Sequence, residues 1–193
     1  MRILGIGFAG FIGTNIAIEA IKRGHSVVAF DNLSRSGVKN NLSYMEEKYK
    51  DKYHFIWGDV RNKEDFLRLP KCDAIINMAA NPSVMKSIEY PEYDFNTNTV
   101  GVLNSLMVAK KWNVPYLYAS TNKTFSDITN KIDTVEDEKR YRWIKQEFPF
   151  NGVSLEGIDD TFPIDGYGKY GHSIYGIDKL AGELLVQEWG LEY

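Results

Sequence analysis

Near the end of the chain, Tyr175 and Lys179 stand four residues apart in the run SIYGIDKLAGE. At helical spacing both side chains leave one face about one turn apart, a phenol beside an ammonium. Such a pair is either an acid–base unit or an ordinary aromatic with an ordinary surface lysine. Spacing alone does not decide between them.

A second group of candidates lies at the other end. Gly7, Gly10 and Gly13 recur every third residue between an apolar run, RILGIG, and a helix-period segment, IGTNIAIEAIKRG. A glycine turn lets the backbone approach a pyrophosphate, while the helix behind it offers free N–H groups and a positive dipole end. Asp31 closes the next apolar run, SVVAFD, eighteen positions after Gly13. That is near the spacing of about 20 at which an acid receives ribose hydroxyls. Strand, glycine turn, helix, strand and acid in this order predict a dinucleotide-binding unit. The acid at position 31 repels a ribose phosphate and favours NAD over NADP, whereas Arg35 just beyond could accommodate that phosphate. Asp59, after a third run, YHFIWGD, suits either the adenine amino group or the N-cap of the helix opening at Asn62 and Lys63.

The elements that must position these residues alternate along the chain. Strand candidates are RILGIG, SVVAFD, YHFIWGD, DAIINMAA and VPYLYAST. Helices are expected between them: IGTNIAIEAIKRG, LSYMEEKYK after a loop NLSRSGVKNN, NKEDFLRL, and one long helix from Pro91 to Trp112. A last helix runs from about Ser173 to Trp189. Continuous apolar strands separated by helices predict a doubly wound parallel α/β sheet covered on both faces. The charged segment from Asp127 to Phe150 reads as a solvated helix over the sheet edge or a mobile insertion, and GIDDTFPIDGYGKYGHS reads as loop.

Composition limits the alternatives. The 193 residues are 44% hydrophobic and 13% aromatic, which suits one globular domain. A net charge of -3 with dispersed lysines and arginines argues against nucleic acid as a partner. The single cysteine, Cys72, leaves neither an internal disulfide nor a thiolate cluster for a metal, so a cytoplasmic setting is expected. The apolar start resembles a secretory signal, but its three glycines and the charges that follow argue against that reading. No run is long and apolar enough to span a membrane.

With GFAGFIG, FDNLSR, GDVRN, NMAA, STNK and YGIDK in this order, the chain resembles the extended short-chain dehydrogenase/reductase family, the NAD-dependent nucleotide-sugar epimerases and dehydratases. DNLSR, STNK and the run from FPID to LLVQEWG look most like its CDP-sugar 2-epimerases. The resemblance implies a Rossmann-type sheet with Tyr175 as the catalytic tyrosine, Lys179 as its partner and Thr121 as the catalytic serine or threonine. It implies NAD held by Gly7, Ala9, Gly10, Phe11, Ile12 and Gly13. Further NAD contacts are implied for Asp31, Asn32, Ser34 and Arg35, for Asp59 and Val60, for Asn77, Ala79, Ala80, Asn98 and Ser120, and for Tyr175 and Lys179. Asn98 matches the family asparagine that braces the central helix. Ser87, Asn122, His172 and Ser173 match positions that approach the sugar together with Thr121.

By the same resemblance, the tyrosinate takes a sugar hydroxyl proton while hydride passes from that carbon to NAD, and the keto-sugar receives it back on the other face. Lowering a phenol by three pKa units takes about 4 kcal/mol. One positive charge about 5 Å away supplies about 3 kcal/mol at an effective dielectric near 20. Lys179 and the oxidised nicotinamide together are therefore sufficient. Asn122 and Lys123 stand where dehydratases carry an Asp-Glu pair, which favours epimerisation. Relatives continue with further strands and a smaller C-terminal substrate domain, so residues 1–193 are expected to form an NAD-binding Rossmann domain incomplete at its C-terminus. A homodimer through the two long helices is the family expectation. A UDP-sugar 4-epimerase and a non-catalytic NAD-binding module are the alternatives.

Overall fold

The computed structural model describes residues 1–144, 151–165 and 170–193. Five parallel strands form one sheet: β1 (Arg2–Ile6), β2 (Ser26–Asp31), β3 (Tyr53–Trp57), β4 (Ala74–Asn77) and β5 (Tyr116–Tyr118), in spatial order β3-β2-β1-β4-β5. The register pairs Ile6 with Phe30 on one side and with Asn77 on the other. Alternation along β1 and β2 divides the core between the two faces of the sheet. Leu4, Ile6, Val28 and Phe30 pack with Phe66, Ile75 and Trp112, while Ile3, Val27 and Ala29 pack with Phe8, Ala17 and Met45.

Helix α1 (Phe11–Lys22) follows β1 and ends at Arg23, with Gly24 in a left-handed conformation. Helix α2 (Val38–Tyr49) starts four residues before the predicted Leu42. Val38 and Met45 are its buried residues, a single stripe that the polar run between them concealed. NKEDFLRL forms a 3₁₀ helix, Lys63–Arg68.

The predicted helix from Pro91 to Trp112 is three consecutive pieces: α4 (Pro91–Phe95), a π-turn (Asn96–Val100) and α5 (Gly101–Trp112). A short α3 (Val84–Glu89), capped by Ser83, precedes it and has no counterpart among the predicted elements. Helix α6 (Ile174–Glu192) extends three residues beyond the predicted Trp189.

The charged segment, expected as a solvated helix or a mobile insertion, opens with a 3₁₀ helix (Asp127–Lys131) and continues as paired strands. Thr134–Glu136 (β6) and Tyr141–Trp143 (β7) form an antiparallel hairpin, closed by an Asp137–Arg140 backbone bond and an Asp137–Arg142 ion pair. β-Branched and aromatic residues flanking a turn-forming aspartate explain the outcome. Val153–Ser154 (β8) and Gly157–Ile158 (β9) form a second short hairpin, whose second strand opens the segment expected as loop. Parts of both predicted segments, at 145–150 and 166–169, lie outside the described residues.

Candidate active site

Strand order reverses between β1 and β4, so the connections leaving their carboxyl ends diverge and leave a crevice. A cleft of about 660 Å³ opens there. Gly7, Gly10, Phe11, Ile12 and Gly13 line it from the β1–α1 turn. Gly7 has φ +76°, and a Cβ on it would fall 2.6 Å from the backbone nitrogen of Ala79. A Cβ on Gly13 would fall 2.6 Å from the Gly7 carbonyl oxygen. Only glycines allow this turn to lie so close to the helix and to β4. No side chain caps α1, so the amides of its first turn are open to an anion.

Asp31 ends β2 on the wall of the cleft, with Asn32, Ser34 and Arg35 beside it. Its Oδ1 accepts from the Leu33 amide at 2.8 Å and its Oδ2 from the Ala9 amide at 3.2 Å. Burial pushes the carboxyl above its usual range, and these amides oppose the rise. Ala9 is fully buried and serves the site through Asp31 rather than by facing the cleft.

Asp59 is engaged by Arg61 through Nε at 2.9 Å and Nη2 at 2.6 Å, and by Asn32 Nδ2 at 3.0 Å. Burial opposes ionisation, but these bonds prevail and bring its pKa down to about 2. The alternative N-cap role for Asp59 is corrected: Asn62 caps that helix by accepting from the Glu64 amide. Val60 lines the cleft directly.

Ala79 and Ala80 line the wall after β4. Asn77 stands behind them, accepting from the Ala79 amide at 3.0 Å and donating to the Tyr116 hydroxyl at 2.7 Å. Asn98, fully buried in the π-turn, accepts from the Asn81 amide at 2.8 Å and donates to Asp94 at 2.9 Å. Both asparagines therefore hold the wall in place from behind it.

Tyr175 and Lys179 meet this cleft from α6. The Ser173 hydroxyl caps that helix by accepting from the Gly176 amide at 3.1 Å, with Ser173 itself at φ 90°. Ser87 was expected at a sugar. The structure instead sets it behind α6, where its buried hydroxyl accepts from the Tyr175 amide at 3.1 Å and donates to the Val84 carbonyl at 2.7 Å. Lys179 donates to the Ala119 carbonyl at 2.7 Å and lies 3.9 Å from the Tyr118 ring centroid. Burial pushes its ammonium down to about 8, opposed by Glu183 and Asp94.

Ser120 lines the cleft, its hydroxyl donating to Glu183. Thr121 caps the short turn Asn122–Thr124 by accepting from the Lys123 amide at 3.3 Å, and gives its proton to Asn122 Oδ1 at 3.4 Å. Asn122 is exposed beside it. His172 is buried with its Nε2 unpartnered.

Tyr93 and Asn41 also line the cleft, and sequence reading missed both. Asn41 fell in the predicted loop before α2; its amide holds the Ala9 carbonyl at 2.9 Å. Tyr93 sat in a helix with no local mark of function, and the Arg61 guanidinium now stacks 4.5 Å from its ring centroid.

A glycine turn, an acid at the end of β2 and a tyrosine–lysine pair on one crevice define a nucleotide-binding fold of the Rossmann type. Residues 3–148 match the NAD dependent epimerase/dehydratase family, and the chain belongs to it. It is 32% identical to the CDP-paratose 2-epimerase of Salmonella typhi over 178 residues, 90% of this chain and 49% of that protein. It is 33% identical to the UDP-glucose 4-epimerase of Pisum sativum over 144 residues, 72% of this chain and 41% of that one. Among solved structures, the UDP-glucose 4-epimerase of Thermus thermophilus in complex with NAD superposes with a TM-score of 0.70 at 28% identity, covering all of this chain and 52% of that one. The chain thus spans about half the length of the curated relatives it matches. NAD is the cofactor, and the glycine cradle with Asp31 at its end fits it. Among the described residues no helix is long and apolar enough to cross a membrane.

Proposed function

We propose that the protein is a nucleotide-sugar epimerase of the CDP-paratose/CDP-tyvelose 2-epimerase type. The observation that carries this reading is the placement of Tyr175 and Lys179 on the same cleft as the glycine turn and Asp31. Bound NAD supplies the two-electron acceptor that takes hydrogen from one sugar carbon and returns it on the opposite face. Tyr175 receives the proton of the hydroxyl on that carbon and gives it back. Lys179, fixed by the Ala119 carbonyl, contributes the positive charge that favours the phenolate. Thr121 exchanges its long bond to Asn122 for one to the sugar oxygen, where negative charge develops. In this reading exposed Asn122 and His172, whose buried Nε2 has no hydrogen-bond partner, approach the sugar.

Residues 1–193 act as the NAD-binding Rossmann domain in this reading. Exposed Leu103 and Met107 on α5 and Ile177 and Leu184 on α6 favour a homodimer through these helices. The family's nucleotide-sugar substrates favour a cytoplasmic setting.

The test is to incubate the protein with NAD and CDP-tyvelose and to follow CDP-paratose by chromatography, with UDP-glucose in parallel. CDP-sugar interconversion supports the reading. Conversion of UDP-glucose alone would replace it with a 4-epimerase, which the similarity to UDP-glucose 4-epimerases favours as the second reading. NAD binding without turnover of either would leave a cofactor-binding module.

A further inference from the structure

At the carboxyl end of β5, three consecutive residues, Tyr118, Ala119 and Ser120, each bond to the first half of α6. The Tyr118 hydroxyl donates to the Lys179 carbonyl at 3.5 Å, and the Lys179 ammonium donates to the Ala119 carbonyl at 2.7 Å. The Ser120 hydroxyl donates to Glu183 Oε2 at 2.5 Å. Lys179 is buried, Glu183 half-buried, and Ser120 exposed on the cleft.

Lys179 and Glu183 stand four residues apart on one helix. At that spacing an ammonium and a carboxylate ordinarily pair. Here each is engaged by a different residue of the strand end instead. Tyr175 lies one turn before Lys179 on the same face and Glu183 one turn after it, so a step of the ammonium toward Glu183 is a step away from Tyr175.

The titratable groups on elements packed against α6 are Lys86 and Glu89 of α3, Glu92, Tyr93 and Asp94 of α4, Lys110 and Lys111 of α5, Lys123 of the turn after β5, and Tyr118 of β5. Of these, Asp94 acts on Lys179 through its charge, and the Tyr118 ring centroid lies 3.9 Å from its ammonium. On α6 itself the neighbours are Tyr175, Asp178 and Glu183.

We propose that Ser120 and Glu183 are paired positioning residues: the Ser120 hydroxyl holds the Glu183 carboxylate to the strand end and off the Lys179 ammonium, so that Lys179 stays at the Ala119 carbonyl and free for Tyr175. The carboxylate still favours, from a distance, the cation that burial opposes. Ser120 thereby serves the site through Glu183 as well as by lining the cleft.

The consequence for turnover rests on the epimerase reading, but the arrangement itself is tested without NAD or substrate. The full chain is labelled with carbon-13 at the lysine Cε, and the Lys179 signal is assigned by its loss in Lys179→Met. Its titration is followed in wild type, Ser120→Ala, Glu183→Gln and the double variant. Ser120 is exposed, so its replacement leaves no buried group unpaired, and the fold is kept.

In Ser120→Ala the released carboxylate pairs with the ammonium, and the Lys179 midpoint is expected to rise by about one unit, roughly tenfold in proton affinity. In Glu183→Gln it falls below its wild-type position of about 8. The double variant is expected to titrate with Glu183→Gln, because no carboxylate remains to be released. An unchanged midpoint in Ser120→Ala, or the same rise with and without the Glu183 carboxylate, would overturn the proposal. In turnover, Ser120→Ala is expected to lower kcat, and adding Glu183→Gln to recover part of it, a rescue that a merely structural serine would not show. A wild-type chain that turns over neither sugar would defeat the epimerase reading alone, and the titration would still decide the role of Ser120.

Discussion

The ammonium of Lys179 donates to the carbonyl oxygen of Ala119 at 2.7 Å, tying the first half of α6 to the chain just beyond β5. The bond fixes a cation at the carboxyl edge of the sheet, where burial has already lowered its pKa to about 8.

From this the pH dependence of turnover follows. If the cation supports the Tyr175 phenolate, the Lys179-dependent part of turnover declines as pH rises through about 8. Stability moves the other way. The unfolded lysine keeps its proton to about 10.4, so between about 8 and 10.4 the unfolded state binds more protons, and this group's contribution to stability rises with pH. Rate profiles and urea unfolding over pH 7–10, each compared with Lys179→Met, measure the two trends. Parallel declines in the Lys179-dependent parts would contradict this assignment.

Two glycines three residues apart separate folding from binding. Gly7→Ala places a Cβ against the Ala79 backbone at φ +76°, and a loss of about 1–3 kcal/mol in stability is expected. A Cβ on Gly10 meets only the Gly7 carbonyl oxygen at 3.2 Å, so Gly10→Ala keeps a near-normal thermal midpoint. It occupies pyrophosphate space and weakens NAD binding tenfold or more, about 1.4 kcal/mol. Thermal melts with NAD titrations distinguish the two effects.

Asp31→Ala removes the carboxylate that the Ala9 and Leu33 amides hold in place and that we propose accepts from the ribose. A bond to a charged acceptor contributes about 1.5–3 kcal/mol, so NAD affinity falls roughly 10- to 150-fold. NADP affinity falls less, because the repulsion of its phosphate is lost together with the bond. Calorimetric titration with both cofactors checks this, and equal losses for the two would contradict the ribose role.

Ser87 contacts the active helix from behind. Ser87→Ala leaves the Tyr175 amide without its buried acceptor. A cost of about 1–3 kcal/mol in stability is expected. Turnover should fall through lower kcat with KM little changed, since the hydroxyl faces the helix and not the sugar. A rise in KM at constant kcat would instead return Ser87 to the substrate.

The sequence by itself determined the strands of the sheet, the glycine turn, the acid at the end of β2 and the tyrosine–lysine pair. The first three depend on local patterns, apolar runs of strand length and glycines every third residue with an acid eighteen positions on, whereas the four-residue spacing of Tyr175 and Lys179 became a site reading only through the resemblance to the family. It was weaker where pattern and packing disagree. The polar first turns of α2 read as loop because only Val38 and Met45 mark its buried stripe, and the charged segment read as a solvated helix or a mobile insertion although its β-formers pair across a turn. Only the tertiary structure decided that Ser87 supports Tyr175 and that Asn62 rather than Asp59 caps the 3₁₀ helix. These relationships join residues distant in the chain or choose between equivalent neighbours. A hydrogen bond of that kind has no periodicity to read, and its geometry is set by how the helices seat on the sheet.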